Sequence, residues 1–288
     1  MRTADDWKDY ELIDCSCGER LERWGNTVLI RPDPQIIWKT EKKCPQWNMA
    51  DAVYHRSAKG GGGWEITGHM PQSWNISYKD LKFMIKPMGF KHTGLFPEQA
   101  VNWDMMRSVI KQSGKRDVKA LNLFAYTGGA TCAALSAGAS CVHVDASKGM
   151  VAHAKQNAAL SGLTDAPVRY IVDDCEKFVQ REERRGNKYD IVIMDPPSYG
   201  RRPGGEVWKL EDKIFDLVCS CSKVLSADPL MFLINSYTTG LSPSVMQYIL
   251  ESIVVPVYGG KVTSSEIGLR ASWSGLVLPC GASAVWTK

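Results

Sequence analysis

The residues best suited to chemistry in this chain stand where short apolar runs end. Asp145 ends the run VHVD, Asp173 and Asp174 end YIVDD, and Asp195 follows YDIVIM. A carboxylate accepts strong hydrogen bonds from the hydroxyl and amino groups of a bound molecule. Asp145 is placed to accept from the two hydroxyls of a ribose, and Asp173 or Asp174 from an amino group of adenine. The simpler alternative for each is that its side chain caps the following helix.

The most specific signal is the segment Asp195-Pro196-Pro197-Ser198-Tyr199-Gly200. Its two prolines fix φ and remove N–H donors, which predicts a rigid segment whose carbonyl oxygens point outward. Asp195 adds a carboxylate and Tyr199 adds an aromatic face. The alternative is a proline-rich turn without a function.

A third signal is the glycine pair in FAYTGGAT, at Gly128 and Gly129. Small residues at this position let backbone N–H groups and the positive end of a helix approach a polar ligand. The pair does not complete a G-x-G-x-x-G pattern, so an ordinary turn between a strand and a helix remains an alternative.

These residues need a scaffold that brings the ends of several strands together. The apolar runs KALNLFAY, ASCVHVDAS, VRYIVDD, YDIVIMDPP and PLMFLINSY alternate with helical stretches, and the last residues contain two β runs without a helix between them. Such alternation predicts an α/β, Rossmann-like, doubly wound and mostly parallel sheet that ends in an antiparallel hairpin. In this architecture ligands bind beyond the carboxyl ends of the strands.

The first ninety residues have a different character. They contain six of the ten tryptophans and the β-rich runs NTVLIRP, PQIIWKT and SYKDLKFMIKP. We therefore predict a small β-rich domain over residues 1–90, with a possible role in recognising RNA, and a catalytic domain over residues 91–288. The stretch KGGGG at 59–63 lacks the residues of a phosphate-binding P-loop and predicts a hairpin or loop.

The composition excludes several classes of protein. The chain has 288 residues, 44% hydrophobic and 23% charged, with a net charge of +4, as expected of a globular enzyme. It shows no apolar run long enough to cross a membrane and no secretory signal, so we expect a cytoplasmic protein. Nine scattered cysteines favour reduced thiols. Cys15, Cys17 and Cys44 do not repeat a C-x2-C pair, so we expect no metal.

The order LNLFAYTGGAT, HVDAS, VDD and MDPPSYG resembles the class I S-adenosylmethionine-dependent methyltransferases. With FKHTGLFPEQ upstream and GLVLPCGASAVW downstream, the stretch 85–288 is similar, more narrowly, to bacterial large-subunit ribosomal RNA methyltransferases. The resemblance implies S-adenosylmethionine as the cofactor and RNA as the partner.

The resemblance also implies roles for individual residues. The predicted cofactor site comprises Thr93, Phe96 and Gln99 as a cover, Phe124, Ala125, Tyr126, Thr127, Gly128 and Gly129 near the methionine moiety, Asp145, Ala146 and Ser147 near the ribose, Asp173 or Asp174 near the adenine, and Asp195. The predicted catalytic residues are Asp195, Pro196, Pro197, Ser198 and Tyr199. Asp195 and the Pro196 carbonyl would orient the acceptor nitrogen, and Tyr199 would stack on the base.

The acceptor atom follows from a departure from the family pattern. Members that make 5-methylcytosine carry a cysteine just after the fifth strand, because carbon 5 of a pyrimidine reacts only after a thiolate has added to the ring. Here that place reads Asn235-Ser236-Tyr237-Thr238-Thr239. We therefore predict methylation of a nitrogen.

Three alternatives remain at this point. One is a methyltransferase whose acceptor is a protein or a small molecule, and another is an NAD-dependent dehydrogenase of similar fold. The third is a noncatalytic RNA-binding module. This alternative is supported by the basic residues near the start of the sequence, namely Arg20, Arg23, Arg31, Lys39, Lys42 and Lys43. We expect these residues to form the solvated face of the first domain, over a core built from its tryptophans.

Overall fold

The computed structural model describes residues 1–57, 61–89, 91–201, 207–238 and 240–288. The chain divides into two compact units. The first comprises residues 1–101 and 268–280, and the second comprises residues 102–267 and 281–288. The first unit thus extends past residue 90, the predicted boundary, and takes in a segment that follows the second unit in the sequence.

The first unit consists mainly of strands. They are β1 (Arg2–Thr3), β2 (Tyr10–Ser16), β3 (Glu19–Trp24), β4 (Thr27–Pro32), β5 (Ala52–Arg56), β6 (Gly62–Ile66), β7 (Trp74–Tyr78) and β8 (Leu81–Ile85), with 3-10 helices at Pro45–Asn48 and Pro97–Gln99. Strands β2 to β6 form one sheet in chain order, with β4 and β5 parallel, and β7 and β8 form an antiparallel hairpin. The predicted β-rich character of this region is confirmed.

Two sequence predictions for this unit were wrong. The run PQIIWKT is not a strand, because Asp33 turns the chain there: its carboxylate accepts from the Gln35 N–H at 3.0 Å and its carbonyl from the Ile36 N–H at 3.2 Å. Arg20 and Arg31 do not lie on a solvated face either. Arg31 is buried and donates to Glu22 at 2.6 and 2.9 Å, and Arg20 pairs with Asp33.

Two tryptophans of the first unit lie in its core as expected, whereas Trp7, Trp38, Trp64 and Trp74 are only partly buried and Trp273 is exposed. Trp24 and Trp47 are buried, and the Trp47 ring N–H donates to Asp14 at 2.8 Å. The stretch 59–63 falls partly outside the described residues, since 58–60 are not among them; β5 and β6, on either side, form an antiparallel pair.

The second unit alternates helices and strands. Its elements in chain order are α1 (Ala100–Gln112), β9 (Lys119–Leu123), α2 (Gly129–Ser136), β10 (Ser140–Asp145), α3 (Lys148–Leu160), β11 (Val168–Val172), α4 (Cys175–Arg184), β12 (Ile191–Met194), β13 (Tyr199–Arg201), β14 (Val207–Lys209), α5 (Leu210–Ser222), β15 (Met231–Ser236), α6 (Pro243–Ile253), α7 (Val255–Tyr258), β16 (Lys261–Arg270) and β17 (Val277–Thr287). β16 and β17 continue into the first unit with residues 268–280.

The central sheet of this unit has the order β16-β17-β15-β12-β9-β10-β11. Strands β15, β12, β9, β10 and β11 are parallel, and β17 runs antiparallel to β15. The predicted doubly wound sheet with a terminal hairpin is confirmed. All four residues of β12 are buried, as are all six of β15, which is why these strands read as continuous apolar runs.

The strand order decides where a ligand can bind. The chain places β10 on one side of β9 and β12 on the other, so the connections leave the sheet in opposite directions at β9. The crevice at such a switch point opens at the carboxyl ends of the strands. The ends of β9, β10 and β12 therefore border one crevice, and they carry the residues singled out from the sequence.

Candidate active site

The turn after β9 has an unusual backbone. Phe124, Tyr126 and Gly128 all have positive φ, at 54°, 48° and 82°. A Cβ atom on Gly128 would also lie 2.8 Å from the Cβ of Ala154 in α3, so both the conformation and the packing require glycine there. Backbone strain at two non-glycine residues is typical of functional sites.

Asp145, at the end of β10, ties two loops together. Its Oδ2 accepts from the Tyr126 N–H at 2.9 Å, and its Oδ1 accepts from the Ser147 N–H at 2.8 Å. The cap of α3 is Ser147, which accepts from the Met150 N–H. Asp145 is therefore not the helix cap, and its half-buried carboxylate faces the turn after β9.

The two carboxylates after β11 differ in their contacts. Asp174 caps α4, and its side chain accepts from the Lys177 N–H at 3.0 Å. Asp173 forms an ion pair with Arg181, and its backbone N–H donates to the Asp145 carbonyl at 3.1 Å. The structure thus assigns to Asp174 the capping role that the sequence left open between the two.

The segment after β12 is anchored from within the protein. The Trp208 ring N–H donates to the Pro197 carbonyl at 2.7 Å, and the Leu210 N–H donates to the Ser198 carbonyl at 3.1 Å. These two carbonyls do not form the outward array expected from the prolines. What the segment does present is Asp195, half-buried, and Tyr199, whose side chain is 57% exposed.

Tyr199 lies on a short hairpin that the sequence did not reveal. In the antiparallel pair of β13 and β14, Tyr199 stands opposite Lys209 and Gly200 stands opposite Trp208. Trp208 is buried and Lys209 is exposed, so the hairpin rests on the tryptophan and presents the tyrosine and the lysine on its other face.

A polar network that sequence reasoning missed lies beneath the turn after β9. Asn122 donates to the Thr131 hydroxyl at 2.9 Å, and this hydroxyl lies 2.9 Å from Nδ1 of His143. All three side chains are buried, and burial lowers the pKa of His143 to about 4, so its imidazole is neutral. The available signal was a polar residue inside each of two apolar strands, in KALNL and SCVHVD.

The cysteines near the crevice are poor nucleophiles. Burial raises the pKa of the Cys175 thiol to about 12, with smaller contributions from Asp145 and Asp174. Burial likewise raises the pKa of Cys221. At the end of β15, where the family pattern has a cysteine, the chain has Asn235 and Ser236; Thr239 lies outside the described residues.

Metal-binding chemistry finds no support in the part of the chain that the structure describes, where no three His, Cys, Asp or Glu side chains are grouped to hold an ion. Within the same residues, no helix has the length and apolar character needed to cross a membrane.

The sequence profile of a family described as S-adenosylmethionine-dependent methyltransferases matches residues 44–212 of this chain. The chain belongs to this family. A solved S-adenosylmethionine-dependent methyltransferase from Agrobacterium tumefaciens is 35% identical and superposes with a TM-score of 0.91, covering 99% of this chain and 92% of that one. The chain therefore carries an S-adenosylmethionine-dependent methyltransferase domain.

Other relatives of the methyltransferase are more distant. A ribosomal RNA large subunit methyltransferase I from Salmonella arizonae is 30% identical over 227 residues, which are 69% of this chain and 55% of that protein. The chain spans about half the length of this relative. A methyltransferase solved in complex with SAH is 16% identical, with a TM-score of 0.72 over 98% of this chain and 76% of that one, and supports the fold alone.

The structure brings together most of the residues predicted for the site. The predicted residues from Phe124 to Gly129, from Asp145 to Ser147, at Asp173 and Asp174, and from Asp195 to Tyr199 all follow strands of the second unit. Thr93, Phe96 and Gln99 belong to the first unit, and their role as a cover remains a prediction.

Proposed function

We propose that this methyltransferase acts on a nitrogen of a nucleobase in large-subunit ribosomal RNA. The observation on which this rests is the pairing of a half-buried carboxylate, Asp195, with an exposed aromatic ring, Tyr199, after β12. The name of a relative that is 30% identical over 69% of this chain supports the RNA class. A planar ring beside a hydrogen-bond acceptor suits a base that has been unstacked from its helix.

The chemistry of the crevice fits the cofactor. Each oxygen of Asp145 accepts one backbone N–H, and a carboxylate oxygen has a second lone pair that suits a ribose hydroxyl. The N-cap residue of α2 is Gly128, which has no side chain to cap the helix, so the first-turn N–H groups of α2 suit the carboxylate of a methionine moiety. We assign Tyr126 and Thr127 to the same moiety, and the adenine to Asp173 or Asp174.

S-adenosylmethionine supplies a methyl group that is already electrophilic, because it is attached to a sulfonium. The protein therefore needs to align the acceptor and to exclude water rather than to activate the methyl group. Asp195, with the Pro196 carbonyl, orients the acceptor nitrogen so that its lone pair faces the methyl carbon. Tyr199 holds the base by stacking, and the ammonium of Lys209 on the same hairpin face suits a neighbouring phosphate.

For the first unit we propose a role in recognising RNA, as predicted for residues 1–90. Its arginines Arg20 and Arg31 serve internal ion pairs, whereas Lys39, Lys42 and Lys43 are exposed, Lys42 and Lys43 in surface ion pairs with Glu19 and Glu41. Exposed cations of this kind supply sequence-independent attraction to phosphates.

The test is mass spectrometry of nucleosides from the large-subunit RNA of a strain that lacks the gene, with purified enzyme added back. We expect one N-methylated nucleoside to be absent from the strain and restored by the wild type. Asp195→Asn, which keeps the shape of the side chain, should lower kcat about 100-fold or more and change the affinity for the cofactor less. Asp212→Asn, at an exposed position on α5, is the matched control.

The same experiment separates the proposal from its alternatives. An RNA that is methylated on carbon would refute the assignment to nitrogen. Unchanged RNA, together with methyl transfer to a protein or to a small molecule of the extract, would refute the RNA substrate and leave the methyltransferase family untouched.

A further inference from the structure

A row of buried polar side chains leads from α1 through β17 and β15 to Asp195. Asn235 on β15 and Ser283 on β17 stand directly opposite each other in the antiparallel pair, and both are 0% exposed. Asn102 on α1, which is 3% exposed, contacts Ser283. All four residues belong to the second unit.

The hydrogen bonds in this row all point the same way. The Asn102 amide donates to the Ser283 hydroxyl at 3.0 Å, and that hydroxyl donates to Oδ1 of Asn235 at 2.8 Å. The Asn235 amide then donates to Oδ1 of Asp195 at 2.9 Å. Because the carboxylate accepts only, it fixes the orientation of the Asn235 amide, which in turn fixes the direction of the Ser283 hydroxyl.

Burying such a row of polar side chains lowers the stability of the fold, so its presence indicates a function. Burying an amide and a hydroxyl costs free energy that internal hydrogen bonds only partly offset, and β15 is buried along its whole length, where apolar side chains are the usual choice. Aligned hydrogen bonds in a chain polarise one another, and the last one strengthens the hold on the charged group where the chain ends.

We propose that Asn235, supported by Ser283 and Asn102, is a positioning residue that fixes the Asp195 carboxylate in the orientation needed for the acceptor nitrogen. This inference rests on the acceptor role proposed for Asp195. Asn235 itself does not touch the substrate. A role confined to holding β15 against β17 is the competing explanation.

The first test needs no substrate. With selective ¹⁵N labelling of asparagine, the Asn235 side-chain amide of the full-length protein should give a resonance that exchanges slowly with solvent. Asp195→Ala and Ser283→Ala should each shift this resonance, since one removes its acceptor and the other removes the donor to its carbonyl. An Asn235 amide that is indifferent to either variant would overturn the hydrogen-bonded row.

The second test uses Asn235→Asp, which replaces the donating amide by a carboxyl group of the same shape. Two adjoining carboxyl groups share one proton, and while it is bound the new side chain can still donate to Asp195. Relative to wild type, kcat on large-subunit RNA should fall about tenfold or more as the pH rises from about 5.5 to about 8.5. KM for S-adenosylmethionine should change much less. A merely structural role would not create this pH dependence.

Controls make each outcome decisive. A thermal transition and calorimetric binding of S-adenosylmethionine show whether each variant is folded. If Asn235→Asp does not fold, Ser283→Ala replaces it and should lower kcat by about threefold or more at constant KM for the cofactor, because it removes one neutral hydrogen bond. A profile parallel to wild type, or an unchanged kcat, would overturn the positioning role. If the wild-type enzyme were inactive on RNA, that result would refute the proposed function instead. The NMR experiment would still show whether the row of hydrogen bonds exists.

Discussion

Asp145 has two tasks that a single substitution removes together. Its carboxylate joins the turn after β9 to the start of α3, and the same group is proposed to hold the ribose. Asp145→Ala should therefore weaken binding of S-adenosylmethionine by roughly 1.5–3 kcal/mol, the scale for hydrogen bonds that involve a charged group. Isothermal titration calorimetry measures this directly.

Asp165→Ala provides the matched control, since Asp165 is exposed in the loop before β11. It should bind the cofactor as the wild type does. An Asp145→Ala protein of unchanged affinity would remove Asp145 from the ribose site and leave it a purely structural link between two loops.

The cysteines yield a second prediction at this scale. Cys175 and Cys221 have pKa values raised by burial, so neither supplies a thiolate for addition to a pyrimidine. Incubation of the enzyme and cofactor with RNA that contains 5-fluorocytosine should give no adduct that resists denaturation. Peptide mapping of an adduct to Cys175, Cys219 or Cys221 would contradict nitrogen as the acceptor.

Residues whose role follows from their place at the end of a strand were predictable from the sequence. Residues whose role depends on a hydrogen bond to a residue distant in the chain were not. Asp145 and Asp195 could be named because each ends an apolar run. The pairing of Asn235 with Ser283 joins positions 48 residues apart, and no local pattern signals it. The same holds for Pro197, whose carbonyl is occupied by a tryptophan eleven residues later.

At the scale of elements, β9, α2 and β10 share the buried network of Asn122, Thr131 and His143. The pKa of His143 is about 4 in the folded protein and about 6.5 when unfolded, so below pH 6.5 the unfolded chain binds a proton that the native state does not. The free energy of unfolding should therefore fall as the pH drops from about 6.5 to about 4, by up to about 3 kcal/mol from this group.

His143→Gln should flatten this dependence, because glutamine does not titrate. Urea unfolding of the wild type and the variant at pH 7 and at about pH 4.5 would measure the difference. His69→Gln, at an exposed position, should follow the wild-type curve. Parallel curves for His143→Gln and wild type would show that the buried imidazole is not the group that titrates.

Elements that contain a long apolar run were predicted correctly. Segments whose structure depends on a neighbouring turn, or that are too short to show a periodic pattern, were not. Strands β9, β10, β12 and β15 are largely buried and appear in the sequence as apolar runs, whereas β11, at the edge of the sheet, is only partly buried. The run PQIIWKT contains residues typical of strands, namely two isoleucines, a tryptophan and a threonine, but Asp33 forms a turn there. The hairpin of β13 and β14 is only three residues long on each side, too short for a periodic signal.

At the scale of the whole molecule, residues 268–280 belong to the first unit although they follow most of the second unit in the sequence. A single cut in the chain therefore does not separate the two units. Leu269 and Leu278 are buried, and the backbone N–H groups of Ser272 and Trp273 donate to carbonyls of β2. A fragment of residues 91–288, cut at the predicted boundary, should therefore aggregate. Each exposed leucine costs about 1.5–3 kcal/mol.

The matched fragment has residues 268–280 replaced by an Asn-Gly hairpin turn, which joins the remaining parts of β16 and β17 directly. It should elute from gel filtration without aggregate and melt cooperatively by circular dichroism. If the fragment 91–288 with residues 268–280 intact is as free of aggregate and melts as cooperatively as the shortened fragment, the segment 268–280 does not depend on the rest of the first unit for its burial.

The segment 268–280 also determines when the first unit can finish folding during synthesis. A ribosome releases β2 early, yet Leu12 and Ile13 must wait for Ser272 and Trp273, and Arg20 must wait for Cys280, 260 residues further along. Until then the outer edge of β2 is unpaired in the nascent chain, and such edges invite pairing with other chains. The first unit, although its residues begin to be translated first, is completed only when residue 280 has been made, and a chain halted before residue 268 keeps this strand edge open to pairing with other chains.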